Sequence, residues 1–216
     1  FEKGSQLISL GPNFYYWSSA DYLVYLPAGI KYISTGAFAY DYLHVFVPEE
    51  TAPETWDKAW YCYNDQMHNP CVVHYGISED DVVTLGEAVY LLKGEEAALM
   101  RLQCTGETFA IPESIEWNGV EYPVTAIEPD ALTYIKNQLI YLAVPEAITK
   151  VDKNSKIATL LMASTVVPEG YDPTTSSVFY GVTAQDYIIT DEAHYIALGD
   201  FAMAYKFLAK GVSYSY

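Results

Sequence analysis

Residues 180–200, YGVTAQDYIITDEAHYIALGD, repeat the wording of residues 75–95, YGISEDDVVTLGEAVYLLKGE. Aligned without gaps, residues 75–106 and 180–211 share nine of 32 positions: Tyr75/Tyr180, Gly76/Gly181, Asp81/Asp186, Glu87/Glu192, Ala88/Ala193, Tyr90/Tyr195, Gly94/Gly199, Ala97/Ala202 and Gly106/Gly211. Ordinary composition gives about two. A pattern stated twice, 105 residues apart (180 − 75), restricts the chain to folds built from repeated units, because one such unit has an apolar face that only a neighbour can cover. Each copy places an apolar run, a Gly-acid pair and a second apolar run in order, as YLLKGEEAALMRL around Gly94-Glu95 and YIALGDFAMAYKF around Gly199-Asp200. That order predicts paired β-strands with a tight loop at each Gly-acid pair. EEAALMRL also suits an amphipathic helix, since Ala and Leu favour helices.

A shorter period runs inside the long one. The anchors of LGPNFY (Leu10) and ISTGAF (Ile33) lie 23 residues apart (33 − 10), and those of IEPDAL (Ile127) and VDKNSK (Val151) lie 24 apart (151 − 127). Similarity extends to LVYLPAGIKYI at 23–33 with IYLAVPEAITKV at 140–151, and to VFVPEE at 45–50 with TVVPEG at 165–170. A period of about 20–29 residues, each carrying a short apolar strand, a proline and a turn, is the mark of a leucine-rich-repeat solenoid. The expected fold is therefore mainly β, a leucine-rich-repeat-like solenoid of short strands stacked at the 23-residue step, with an inserted β-hairpin segment over roughly residues 82–127. Ile30, Ile33, Phe38, Leu139, Leu142, Ile148 and Val151 occupy ladder positions and are expected to be buried. Asn118-Gly119 sits between alternating apolar residues, which predicts a two-residue hairpin turn because both residues tolerate positive φ. The expected organisation has four parts: a first repeat block over 1–76, a linking hairpin segment over 77–127, a shorter and degenerate block over 128–179, and the start of a second linking segment over 180–216.

At these residues the chain resembles the BspA-type bacterial leucine-rich repeats, whose pattern is approximately L-x-x-V-x-I-P-x-x-V-x-x-I-G-x-x-A-F. In LVYLPAGIKYISTGAF, residues 23–38, Leu26, Pro27, Ile30, Ile33, Ala37 and Phe38 fall on the family positions, with Ser34 where glycine is usual. In the later copy Asp152 stands at the glycine position, and Ser155 and Lys156 replace the Ala-Phe pair. FAIPESIEWNGVEYPVTAI, residues 109–127, is similar to the family's lead-in hairpin. WDKAWYCYNDQMHNPCVVHYG, residues 56–76, is similar to the tryptophan-rich arc that closes repeat blocks, with Tyr75 in place of the last tryptophan and Val72 in place of the proline. The resemblance implies a non-enzymatic, extracellular or cell-surface repeat protein engaged in adhesion or host contact, often as one segment of a longer polypeptide. The alternative is a carbohydrate-binding or spacer module of a larger glycan-degrading surface protein.

The remaining chemistry narrows the partner. Eleven basic residues against 28 acidic ones, a formal charge of −17, disfavour binding to nucleic acid and attraction to anionic lipid. Apolar runs fall short of the roughly 18 residues of a membrane span, so no membrane insertion is expected of this segment. Phe1 in place of methionine reads as a mature form or an excised fragment. His44, His68, His74 and His194 lack a second histidine at i+3 or i+4 and read as packing or surface residues. Cys62, Cys71 and Cys104 show no metal-ligand spacing; Cys62 and Cys71 are either a bridge in an oxidising compartment or small buried hydrophobes. Glu49-Glu50, Asp80-Asp81 and Glu95-Glu96 read as solvated turns. No G-x-S-x-G, Walker, Rossmann or HExxH motif occurs, and neither catalysis nor a cofactor nor a metal is expected. The expected partner is a protein or glycan on a cell surface, and the candidate ligand-binding residues are Trp56, Trp60, Tyr61 and Tyr63, rimmed by Glu54, Asp57 and Asp65. They lie in residues 49–74, where the first block carries 15 more residues than its counterpart ((75 − 48) − (180 − 168)), and insertions in repeat arrays gather on one face. The same aromatics also suit a solenoid cap.

Overall fold

The anchors that set the short period are backbone neighbours. The computed structural model describes residues 5–15, 23–38, 43–62, 71–103, 106, 108–128, 131–132, 141–151, 159–167, 169, 177–198 and 200–207. Among these residues the regular structure is β-strand and short 3₁₀ turns, and no helix is long and apolar enough to cross a membrane. The chain divides into two units, Phe1–Val82 and Val83–Tyr216.

In the first unit, β1 (Ser9–Leu10), β2 (Leu23–Tyr25), β3 (Tyr32–Ile33), β4 (His44–Val47) and β5 (Val72–Tyr75) form two parallel ladders. β1 lies on β3 with Leu10 opposite Ile33, while β4 lies between β2 and β5. Side chains alternate along a strand, so Val45 and Val47 join Leu10, Leu26, Ile30, Ile33 and Phe38 in one core. His44 and Phe46 occupy the alternate positions of β4 and are buried as well. Phe38 is fully buried between two rings that meet it edge-on, Phe14 at 5.9 Å and Trp60 at 5.8 Å.

The second unit takes up β6 (Val82–Leu85), which starts at its boundary, followed by β7 (Ala88–Lys93), β8 (Glu96–Leu102), β9 (Thr108–Ala110), β10 (Ser114–Trp117) and β11 (Val120–Ile127). Then come β12 (Tyr141–Val144), β13 (Lys150–Val151), β14 (Thr159–Met162), β15 (Ser177–Tyr180), β16 (Tyr187–Ile189), β17 (Ala193–Leu198) and β18 (Phe201–Phe207). One sheet runs β10-β11-β8-β7-β6, with β13 on β11 so that Ile127 faces Val151. A parallel ladder runs β9-β12-β14-β15, and β16-β17-β18 form an antiparallel sheet. Leu142, Val144, Leu160 and Met162 point into the main core with Tyr90, Leu99, Val124 and Ile127. Their alternates Ala143 and Leu161 pack on Val182, Tyr187 and Ile196.

The two copies of the long repeat adopt the same sequence of elements. Each opens on a glycine at positive φ, Gly76 at 66° and Gly181 at 65°. A 3₁₀ turn follows, Glu79–Asp81 or Ala184–Asp186, closed by a reciprocal cap. Ser78 donates its N–H and hydroxyl to Asp81 Oδ2 at 2.8 and 2.7 Å, and Thr183 does the same to Asp186 at the same distances. The hairpins β7-β8 and β17-β18 then form with a bulge at equivalent places, Val89/Tyr90 and His194/Tyr195. The Asn118-Gly119 turn carries φ of 52° and 77°, the double positive φ of a type I′ turn.

Of the ladder positions, Ile30, Ile33, Phe38, Leu142 and Ile148 are buried. Leu139 lies outside the described residues, and Val151 is described only through its backbone pairing. The strand reading of EEAALMRL holds and its helical alternative does not: β8 pairs with β7 and β11 on its two edges and is buried at six successive residues, so both faces are covered and helix propensity is overridden. One expectation is corrected. The 23-residue step holds for Leu10/Ile33 but not along the main ladders, where partners lie 21 (44 − 23), 28 (72 − 44), 33 (141 − 108) and 18 (160 − 142) residues apart. Only the rungs must be in register, and the loops between them vary in length.

Replacing Phe38 with Ala is expected to destabilise the first unit by about 3–5 kcal/mol through the cavity left between Phe14 and Trp60, measured as a fall in the urea midpoint. A loss below about 1 kcal/mol would show that the packing around this ring had been assigned wrongly.

Candidate functional site

The tryptophan arc is assembled by backbone contacts to the rung before it. Asp57 donates its N–H to Ile33 O at 2.9 Å, and its carboxylate Oδ1 accepts from Thr35 Oγ1 at 2.6 Å and from the Ala59 N–H at 2.8 Å. Those two donors hold the Asp57 carboxyl below its ordinary value, the Thr35 hydroxyl contributing most. Thr55 donates its hydroxyl to Lys31 O, Gly36 its N–H to Ala59 O at 2.9 Å, and Phe38 its N–H to Trp60 O at 3.1 Å. Residues 55–60 therefore follow the turn at 31–38 as a further strip of the solenoid.

This strip carries both indoles inward. Trp56 and Trp60 are 5% and 1% exposed and belong to the core of the first unit. Trp56 Nε1 donates to Ile30 O at 3.0 Å, and the two rings meet edge-on at 5.1 Å. A side-chain hydrogen bond joins Trp60 to Tyr75; burial raises the Tyr75 phenol and this bond partly offsets it. Tyr61 is half-buried, edge-on to Trp60 at 5.5 Å. Tyr63 and Asp65 lie outside the described residues. The structure thus brings Trp56, Trp60 and Tyr61 together, with exposed Glu54 and Asp57 beside them, and uses the indole faces as packing. Buried indoles with their N–H groups engaged are part of the fold's support rather than a platform for stacking.

The Cys71 N–H donates to Tyr61 O at 2.9 Å, which closes the arc. Cys62 and Cys71 are both thiols and both buried. Burial pushes the Cys71 thiol far up, and the neighbouring Cys62 adds to the shift. Cys71 therefore stays protonated and unreactive at neutral pH. Cys104 lies outside the described residues.

A second cluster was illegible in the sequence. His44 and His74, 30 residues apart (74 − 44), meet across β4 and β5 with Nδ1 of one 3.0 Å from Nε2 of the other. Their rings stack at 5.3 Å, and Phe46 stacks between His74 and Tyr25 at 4.9 Å on either side. Burial raises the Tyr25 phenol, helped by the charge of Glu79. The imidazole contact needs one nitrogen to donate and the other to accept, so at least one ring is neutral. Taken singly, His44 and His74 read as packing or surface residues; the signal that could have joined them is their place on consecutive parallel rungs. His194 is buried too, with Nδ1 3.1 Å from the Tyr187 hydroxyl.

In the second unit a cavity of about 240 Å³ lies over β8, β11 and β13, lined among others by Lys93, Glu96, Thr125, Glu128, Thr149 and Lys150. Its polar groups pair across strands: Lys93 Nζ with Glu128 Oε1 at 2.5 Å, and Thr125 Oγ1 with Glu96 Oε2 at 2.8 Å. The volume is below the roughly 300–1,000 Å³ of ordinary ligand pockets.

No protein-family model matches the chain, and no curated protein matches it. Among solved structures it is similar to a leucine-rich cell surface protein from Faecalibacterium prausnitzii A2-165, at 14% identity and a TM-score of 0.36. The match covers 46% of this chain and 32% of that one, so the chain spans less than half the length of that protein.

Trp60→Ala is expected to cost about 3–5 kcal/mol in chemical denaturation, as for a core residue. A variant of native stability would return Trp60 to the surface-binding reading. The Asp57 carboxylate, with a lowered folded value, contributes stability that is present above the unfolded value of about 3.9 and is lost as pH falls through the folded one. Asp57→Asn should therefore flatten the acid limb of the stability curve below about pH 4, followed by thermal melts across that range.

Proposed function

We propose that this chain is a non-enzymatic, cell-surface or secreted repeat module that presents an acidic, tyrosine-rich surface to a protein partner. The observation that carries the reading is the use made of the aromatic and polar side chains. Trp56 binds Ile30 O, Asp57 ties Thr35 to Ala59, and Ser78 and Thr183 cap their turns, each holding one segment of backbone to the next. A chain organised in this way is a scaffold, and its recognition chemistry lies in what the scaffold displays. Glu50, Glu54, Asp57, Glu79 and Asp80 are exposed, as is Tyr32. With a formal charge of −17, such a surface steers basic segments toward it and repels nucleic acid and sialylated glycans. The cell-surface placement rests on the resemblance of residues 23–38, 56–76 and 109–127 to BspA-type repeats.

The test sets an array of basic and acidic proteins against an array of neutral and sialylated glycans, with the intact chain as bait. Saturable binding to a basic protein is expected, weakening about tenfold or more between low salt and about 0.5 M salt as the Debye length shrinks. Binding to neutral glycans with no protein bound would instead favour a carbohydrate-binding module.

A further inference from the structure

Cys62 and Cys71 stand at the two ends of the excursion that the first unit makes between its tryptophan strip and β5. Each sits beside backbone that is already fixed. On the outgoing side, Phe38 donates its N–H to Trp60 O at 3.1 Å, and Cys62 donates its own to Ala59 O at 3.3 Å. On the returning side, Val72 donates its N–H to Leu43 O at 2.8 Å and starts the pairing of β5 with β4. Residues 63–70 lie outside the described residues.

The two ends meet. Cys71 donates its N–H at 2.9 Å to Tyr61 O, the carbonyl of the peptide unit whose nitrogen belongs to Cys62. That unit is planar and its bond lengths are fixed, so a hydrogen bond of this length holds the two cysteine Cα atoms within about 7 Å of each other. Disulfides join Cα atoms roughly 4.4–6.8 Å apart. Both side chains are buried, Cys62 at 0% exposure and Cys71 at 6%. Burial does most to raise the Cys71 thiol, and Cys62 stands close enough to raise it further. Two small apolar residues would fill this place as packing, but a pair of sulfurs where one excursion closes also supplies a covalent fastening.

We propose that Cys62 and Cys71 are a disulfide-forming pair that locks the tryptophan arc to β5, made by exchange with an external disulfide, RSSR, before the arc docks. One cysteine, as thiolate, attacks a donor sulfur; the donor S–S bond breaks and the first RSH leaves after taking up a proton. The second cysteine then attacks the mixed disulfide, which forms the internal S–S bond and releases the second RSH. The cysteines lose two electrons and two protons, and the donor takes up both. The order follows from burial. In the docked arc the Cys71 thiol stays protonated and both sulfurs are shielded, whereas in the folding chain thiols have their ordinary value of about 8.5 and are open to a donor.

The bridge closes a ten-residue loop, residues 62–71, and a loop of that length raises the folded-to-unfolded ratio about 100-fold. The inference rests on the extracellular part of the proposed function only for where such a donor is met. The test supplies the donor, so its outcome is separate from that of the partner screens.

In the experiment the intact chain is refolded from denaturant in oxidised and reduced glutathione, alkylated under denaturing conditions without reduction, and cleaved with trypsin. Cleavage after Lys58 and Lys93 leaves both cysteines on one peptide, while Cys104 falls on another after Arg101. The expected result is a peptide 59–93 that is unalkylated and lighter than its dithiol form by two hydrogens, with Cys104 alkylated. Oxidised glutathione added to the already folded, reduced chain should form the bridge at least about tenfold more slowly. In urea, followed by tryptophan fluorescence, reducing the bridged chain should lower the folded-to-unfolded ratio of the first unit by about 100-fold. The midpoint of Cys62→Ala should not move with reductant. The peptide map needs no variant, so a Cys62→Ala chain that failed to fold would leave the test intact. The proposal is overturned if both cysteines are alkylated after oxidative refolding, if the bridge runs to Cys104, if reduction leaves the midpoint of the bridged chain unchanged, or if the folded chain is oxidised as fast as the refolding one.

Discussion

Parallel pairing between successive rungs is the constraint on which the rest depends. Evenly spaced backbone hydrogen bonds hold each short strand directly beside the next, so a side chain lies against the side chain one rung away. Leu10 on Ile33 shows the device at its simplest, and the backbone of Ile127 pairs with that of Val151 in the same way. Strands of two to four residues have almost no stability alone; stacked, they give Val45, Val47, Leu142 and Leu160 continuous cores. The same geometry on the alternate side of β4 and its neighbours lines up Tyr25, Phe46, His74 and His44 as a column of rings. Such a column follows from register and needs no ligand to explain it.

The tryptophan arc is a consequence of the same rule. An extra loop on a solenoid must satisfy its own backbone, and this one does so by bonding to the turn one rung earlier through Asp57, Gly36 and Phe38. Once the loop follows that turn, its large apolar side chains are delivered to the end of the core. Trp56 and Trp60 extend the edge-on chain that begins at Phe14 and Phe38. The polar ends of the arc remain outside, with Glu54 and Asp57 in water.

The long repeat separates what is local from what is not. Copies related by 105 residues build the same capped turn, the same bulge and the same hairpin, because those features depend on Ser/Thr to Asp bonds, a glycine at positive φ and short-range pairing. Burial is different in the two copies at matched positions such as Val83 and Ile188. It depends on what arrives from elsewhere in the chain: Ile111, Ile115 and Val124 for the first copy, and preceding ladder strands on one face of the second.

The sequence by itself determined the β class, the repeat, the Asn118-Gly119 and Gly94-Glu95 hairpins, and the anchors that stack. Each of these is written in residue spacing or in a φ preference, which act over a few residues. The candidate site was legible only as a cluster of aromatics in residues 49–74, since nothing in spacing says which way a ring in a loop will turn. Tertiary structure decided that Trp56 and Trp60 face inward and that His44 and His74 share a hydrogen bond across 30 residues. Those outcomes depend on partners far away in the chain: an indole turns inward and two histidines meet only where a neighbouring rung supplies the missing surface or hydrogen bond.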